Sequence, residues 1–302
     1  MKLRNPEIRI ETTALCQAKC VICPREKMTR PMATMPLEHF ISLADQAKDL
    51  GATTISLFGH GEPLMDRSLE DKIRYCKELG LSTFITSNAG LLNPIRIKKL
   101  IYSGLDHIRF SVHGFWDNYE KVHVGLKWET TRDNIDYFLA HRNGCQVSIS
   151  VIPMYGESIT VIRDFWENKR KVDFLEIWRP HNWCYGKSYR MLKVMKRRIT
   201  CGRPENGPVQ IQADGKMIVC CYDFNGQMVV GDTHKNTIEE ILKGPEFNAI
   251  REKHKNGKVK GLICGTCDQL NIENDSPLLY SSRDKTRTVG KTSSTKFNMM
   301  EV

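Results

Sequence analysis

The chain has 302 residues, 40% of them hydrophobic and 26% charged, which leaves room for one large domain or a domain with a smaller appendage and excludes a wholly disordered or fibrous protein. No run approaches the length of a membrane span, and the first twenty residues lack the apolar stretch of a secretory signal, so a cytoplasmic protein with no membrane partner is expected. Forty-five Lys and Arg against 35 Asp and Glu give a formal charge of +10, which raises an anion as partner, but no helix-turn-helix, zinc-finger spacing or interleaved aromatic pattern points to nucleic acid.

In chain order, short β-branched runs alternate with stretches whose apolar residues return at three and four, the pattern of repeated βα units on a parallel sheet. Strands are expected over 7–12, 53–58, 82–86, 107–112, 146–152 and 173–178, with helices over 37–50, 66–80, 94–103, 130–142 and 159–170. Six such units make an α/β fold, a partial (β/α)6 barrel over residues 1–184. A connector over 185–200 follows, in which Lys187, Arg190, Lys193, Lys196, Arg197 and Arg198 have no acid among them; it reads as solvated surface or as a positive rim for an anionic substrate. Residues 201–280 form a small α+β domain. It has a hairpin over 209–212 and 216–219 around the turn Ala213-Asp214-Gly215, a helix over 237–255, and the knuckle Cys264-Gly265-Thr266-Cys267. The last stretch, 281–302, has five basic and two acidic side chains and no apolar periodicity, and is read as a mobile basic tail.

Eleven cysteines are many for a chain in a reducing compartment, where clustered thiols bind metal or do redox chemistry. Cys16, Cys20 and Cys23 form C-x3-C-x2-C after the first strand. Three thiolates cannot complete a four-iron site, so one iron stays open. Parallel βα sheets bind ligands at the carboxyl ends of their strands. There the second strand is followed by Gly59-His60-Gly61-Glu62-Pro63, the third ends on Thr86-Ser87-Asn88, and the fourth ends on Ser111-Val112-His113. Cys201, Cys220, Cys264 and Cys267 form a second set, spaced C-x13-G-x4-C with a later C-x2-C. Taken alone that set fits either an iron-sulfur cluster or tetrahedral zinc. Cys76, Cys145, Cys184 and Cys221 read as ordinary buried thiols, Cys221 because adjacent residues of a strand face opposite ways. His60 and His113 read as structural histidines.

The triplet behind the first strand resembles the radical S-adenosylmethionine enzymes, and the second set resembles their Twitch domain, a shortened relative of SPASM. The resemblance implies two [4Fe-4S] clusters, an open catalytic one on Cys16, Cys20 and Cys23 and a fully ligated auxiliary one on Cys201, Cys220, Cys264 and Cys267. It also implies S-adenosylmethionine bound near Ile22, Gly61, Glu62, Asn88 and Ser111, an electron donor such as flavodoxin or ferredoxin, and a 5′-deoxyadenosyl radical that removes a substrate hydrogen atom. With an auxiliary cluster as electron acceptor, the expected outcome is two-electron oxidation of a small polar, sugar-like or anionic molecule, as by a dehydrogenase. Modification of a peptide side chain is the alternative, and a zinc-bearing nucleic-acid-binding protein a remote one. In the loop 178–186, Arg179 is the candidate anion or carboxylate contact and His181 the candidate proton acceptor, with Trp183 or Tyr185 as pocket wall.

Overall fold

A computed structural model describes residues 2–187 and 197–271, together with the backbone of 277–282. The elements are β1 (Glu7–Ile10), α1 (Leu37–Asp49), β2 (Thr54–Ser56), α2 (Leu69–Glu78), β3 (Ser82–Ser87), α3 (Pro94–Tyr102), β4 (His107–Ser111), α4 (Trp116–Val122), α5 (Trp128–His141), β5 (Gln146–Val151), α6 (Ile159–Arg163) and β6 (Phe174–Trp178). They continue with α7 (Arg203–Asn206), β7 (Val209–Ile211), β8 (Lys216–Ile218), β9 (Val229–Asp232), α8 (Ile238–Lys243), α9 (Pro245–Lys255) and β10 (Pro277–Ser282).

One ten-stranded sheet runs in the order β10-β6-β5-β4-β3-β2-β1-β7-β8-β9. Strands β1 to β6 are parallel and lie side by side in chain order. Their two outer members do not meet: β1 takes β7 as its other neighbour, and β6 takes β10. The barrel is therefore partial, as expected. Of the connector, residues 188–196 lie outside the described residues, which leaves Lys187, Arg197 and Arg198 of its basic side chains; the tail beyond Ser282 lies outside them too.

Strands β1 and β4 show the period of two. In β1, Ile8 and Ile10 are fully buried toward the helices while Glu7 and Arg9 face the barrel interior, and β4 repeats this with Ile108 and Phe110 against His107, Arg109 and Ser111. Burying an Ile or Phe in this way stabilises the fold by about 1.5–3 kcal/mol each. Helix starts are written locally. Asn93 Oδ1 accepts the Arg96 N–H at 2.9 Å ahead of Pro94, and Thr237 with Glu240 forms a capping box on α8.

Two local differences from the sequence reading have plain causes. The helix expected over 237–255 is two helices, because Pro245 lacks an N–H and forces Gly244 out of helical geometry, to ψ 156. Helix α4 was not anticipated; it is only seven residues long, too short for the recurrence of Trp116, Tyr119 and Val122 to stand out as a helical period.

Candidate active site

At the carboxyl ends of β1 to β4 a cleft of about 470 Å3 opens, and Cys16, Cys20, Ile22 and Cys23 line it together with Gly61, Glu62, Asn88 and Ser111. The cysteine loop is held from both sides. Lys19 N–H donates to Val124 O at 2.8 Å and Val21 N–H to Val122 O at 2.9 Å, while Glu62 N–H donates to Leu15 O at 2.7 Å. Glycine is required at 61: a Cβ there would sit 2.0 Å from Thr13 O and 2.7 Å from Leu15 O.

Glu62 is buried, and its carboxylate accepts Ser87 Oγ–H at 2.8 Å, Asn88 N–H at 2.8 Å and Leu64 N–H at 3.2 Å. Burial outweighs these donors and pushes its carboxyl up to about 7. The side chain thus ties the end of β3 to the loop after β2. Asn88 Nδ2 lies 3.8 Å from Cys16 Sγ, and its Oδ1 accepts from Gln17 at 2.9 Å. The Thr86 hydroxyl faces the same cleft, buried and, among the described residues, without a hydrogen-bond partner.

The three thiols fit an iron-sulfur centre. They converge on one cleft from one loop, and burial raises all three, Cys23 to about 11. Thiols so placed ionise together only against a cationic metal. An unpaired hydroxyl beside them suits a polar cofactor.

The second set also meets. Cys201, Cys220, Cys264 and Cys267 line one cavity beneath the hairpin, with Gly215 at φ 79 turning β7 into β8. Cys184 lines that cavity too. Its thiol interacts with that of Cys267, which raises Cys184 and lowers Cys267. Reading Cys184 as an ordinary buried thiol missed this. Cys221 lines the cleft, where Arg203 Nη1 donates to its Sγ at 3.5 Å, but strand parity does not part it from Cys220: β8 ends at Ile218, and the two thiols interact, which raises Cys220 and lowers Cys221.

The loop after β6 joins the two cysteine sites. Trp183 Nε1 donates to Ile22 O at 2.8 Å. On the other side Asn182 N–H donates to Asp268 Oδ2 at 2.6 Å, Asn182 Nδ2 to Thr266 O at 2.7 Å, and Thr266 Oγ1 to Cys184 O at 2.6 Å. Buried Glu11 performs the same office from β1: it accepts from Arg30 and His60 N–H at 2.7 Å each and from Ala213 N–H of the hairpin at 3.0 Å.

Of the remaining candidates, His181 lines the cleft and accepts Gln269 Nε2–H on Nδ1 at 3.2 Å, so its proton sits on Nε2. His60 donates Nε2–H to Cys221 O at 3.0 Å, and His113 Nδ1 accepts Ile152 N–H at 3.0 Å. Arg179 is not among the residues that line the cleft. Arg9, Arg109 and Arg203 are. Arg9 pairs with Glu7 and Arg109 with Glu176. Arg203 stacks over Tyr222 and, among the described residues, has no carboxylate partner. The signal for Arg9 and Arg109 was present: on β4, Arg109 shares parity with Ser111.

Residues 10–165 match the radical SAM superfamily and residues 201–268 match SPASM, an iron-sulfur cluster-binding domain. Curated relatives include a probable GTP 3′,8-cyclase of Saccharolobus islandicus, 32% identical over 108 residues (35% of this chain, 34% of that protein), and PqqA peptide cyclase of Methylocella silvestris, 35% identical over 116 residues (37% and 30%). The chain spans about a third of the length of the curated relatives it matches. Similar solved structures include BtrN in complex with AdoMet and 2-DOIA (17% identity, TM-score 0.64, 99% of this chain and 100% of that one) and Streptococcus suis SuiB bound to precursor peptide SuiA (17%, 0.70, 89% and 70%). These show the fold. The chain belongs to the radical SAM superfamily, and its cofactors are S-adenosylmethionine and [4Fe-4S] clusters. Among the described residues no helix is long and apolar enough to cross a membrane.

Proposed function

We propose that this radical SAM enzyme carries out a two-electron oxidation of a substrate that presents a polar or anionic group to the cleft, with the catalytic cluster on Cys16, Cys20 and Cys23 and the auxiliary one on Cys201, Cys220, Cys264 and Cys267. When bound, the open cluster and S-adenosylmethionine supply a 5′-deoxyadenosyl radical, with the auxiliary cluster as a sink for an electron. The observation behind this reading is the loop 182–184, which is hydrogen-bonded to both cysteine sites across one cleft. Gly61, Glu62, Asn88, Ile22 and Ser111 position the cofactor through the loops they knit together. Arg203 offers a guanidinium to an anionic substrate group, in place of Arg179, and His181 offers Nε2–H as a donor. We retain the division into barrel (1–184), connector (185–200), auxiliary-cluster domain (201–280) and tail, with one sheet passing through it, and a flavodoxin or ferredoxin as electron source.

A second reading is oxidation of a peptide side chain rather than of a small molecule; the name of one relative, a peptide cyclase, favours it. The test of both is incubation of the anaerobically reconstituted enzyme with reductant, S-adenosylmethionine and panels of small anionic or sugar-like molecules and of peptides. A product two mass units lighter, formed one-to-one with 5′-deoxyadenosine, is expected. A product of unchanged mass, or one with a new methyl group or sulfur, would overturn the oxidation.

A further inference from the structure

Cys20 has a neighbour that the sequence did not single out. His123, at the end of α4, lies with Nδ1 3.3 Å from Cys20 Sγ. Its other nitrogen settles the tautomer: the His113 backbone N–H donates to His123 Nε2 at 3.0 Å, so Nε2 bears no proton and Nδ1 must. The ring is buried and clamped, stacked on Tyr119 at 4.4 Å between centroids and on His113 at 4.9 Å. His113 is fixed in turn by Ile152 N–H on its Nδ1. The main-chain bond Val21 N–H to Val122 O holds the cysteine loop against the same stretch of chain. The donor therefore cannot easily turn away from the sulfur.

We propose that His123 is a positioning residue for the catalytic cluster, whose Nδ1–H donates to the Cys20 thiolate and makes that cluster easier to reduce. The proposal rests on the reading that Cys20 is a cluster ligand. A hydrogen bond to a ligand sulfur stabilises the more negative state of a cluster more than the less negative one. One electron arrives from an external low-potential donor, and the proton stays on Nδ1 throughout. The role differs from that of a base, because the only basic nitrogen of the neutral ring is already occupied by His113 N–H.

The experiment is a redox titration, followed by electron paramagnetic resonance, of the signal that shifts on adding S-adenosylmethionine. It compares the reconstituted holoenzyme with His123→Phe, which keeps the stack but has no donor, and with Tyr119→Phe, which loses the hydroxyl bond to Thr131 beside the ring. In His123→Phe the reduced-to-oxidised ratio at a fixed potential should fall about tenfold, a drop of about 59 mV for one electron; Tyr119→Phe should match the wild type. An unchanged midpoint in His123→Phe with full iron content overturns the proposal. If His123→Phe does not assemble the cluster, the wild-type holoenzyme labelled with 15N-histidine decides by pulsed resonance. A weakly coupled histidine nitrogen and an exchangeable proton on the reduced cluster support the bond, and absence of both overturns it. A wild type with no signal responsive to S-adenosylmethionine would instead refute the assignment of Cys20 as ligand.

Discussion

At position 61 a methyl group would meet main chain rather than a flexible side chain, with Thr13 O at 2.0 Å. Gly61→Ala should therefore displace the cysteine loop and cost about 1–3 kcal/mol, the usual range for overpacking. Iron per chain should drop from about eight toward about four, as expected when one of two four-iron clusters is lost; full iron content would contradict that. His113 gives a pH dependence. Burial holds its ring down to about 3, against about 6.5 in an unfolded chain, so the unfolded state takes up the proton first as pH falls. The stability due to the neutral ring is complete above pH ~6.5 and is lost as pH falls toward 3, by up to about 1.4 kcal/mol per unit. His113→Asn keeps an acceptor for Ile152 N–H and cannot titrate. Its denaturant midpoint should fall less than that of the wild type between about pH 7.5 and 5.5; parallel losses would refute the assignment. Single residues also mark the limit of sequence reading. The C-x3-C-x2-C triplet is legible because all its ligands lie on one loop. His123 is not, since 103 residues separate it from Cys20 and only the fold brings them together.

Elements decide how the two cysteine sites are held relative to each other. Asn182 donates to Thr266 O, and its Oδ1 accepts from Cys184 N–H at 3.0 Å and Asp268 N–H at 3.3 Å. Asn182→Ala removes these bonds, and at about 0.5–1.5 kcal/mol each it should loosen the knuckle by roughly 2–3 kcal/mol. Iron should then leave the auxiliary centre faster under a chelator, while the catalytic centre keeps its own; equal rates for variant and wild type would count against the bridging role. Helix α2 bears a second element-scale dependence. Lys72 is fully buried, donates to Asp66 and Met35 O at 2.6 Å each, and so pins the helix to the segment leaving the cysteine loop. Lys72→Met strands the Asp66 carboxylate in the interior and should cost about 3–5 kcal/mol by chemical denaturation; adding Asp66→Asn should recover part of it. The βα alternation was readable because each strand and helix announces its own period. The loop 178–186 was located but its bonding was not, because Trp183 and Cys184 take positive φ, 50 and 62, and no periodicity encodes such a path.

Across the whole molecule, the auxiliary-cluster half adds strands to the edge of the barrel sheet. Ile8, Arg9 and Ile10 of β1 pair with Val209, Gln210 and Ile211 of β7, and Glu11 fastens the hairpin to the loop after β2. Composition and spacing divide the chain at about residue 185, but they cannot show that β1 would be left with an open edge without β7. The tail boundary moves slightly for a similar reason: β10 continues through Ser282 because it pairs with Phe174, and a single strand far from its partner leaves little trace in composition. The central claim is that this assembly presents a cluster on Cys16, Cys20 and Cys23 to S-adenosylmethionine. It is tested most directly by measuring 5′-deoxyadenosine from anaerobically reconstituted, reduced protein, with the wild type beside the variant in which all three cysteines are alanine. The wild type should form 5′-deoxyadenosine, and the variant should form none while retaining about half the iron, the share of one of two four-iron clusters; undiminished 5′-deoxyadenosine from the variant would contradict the account.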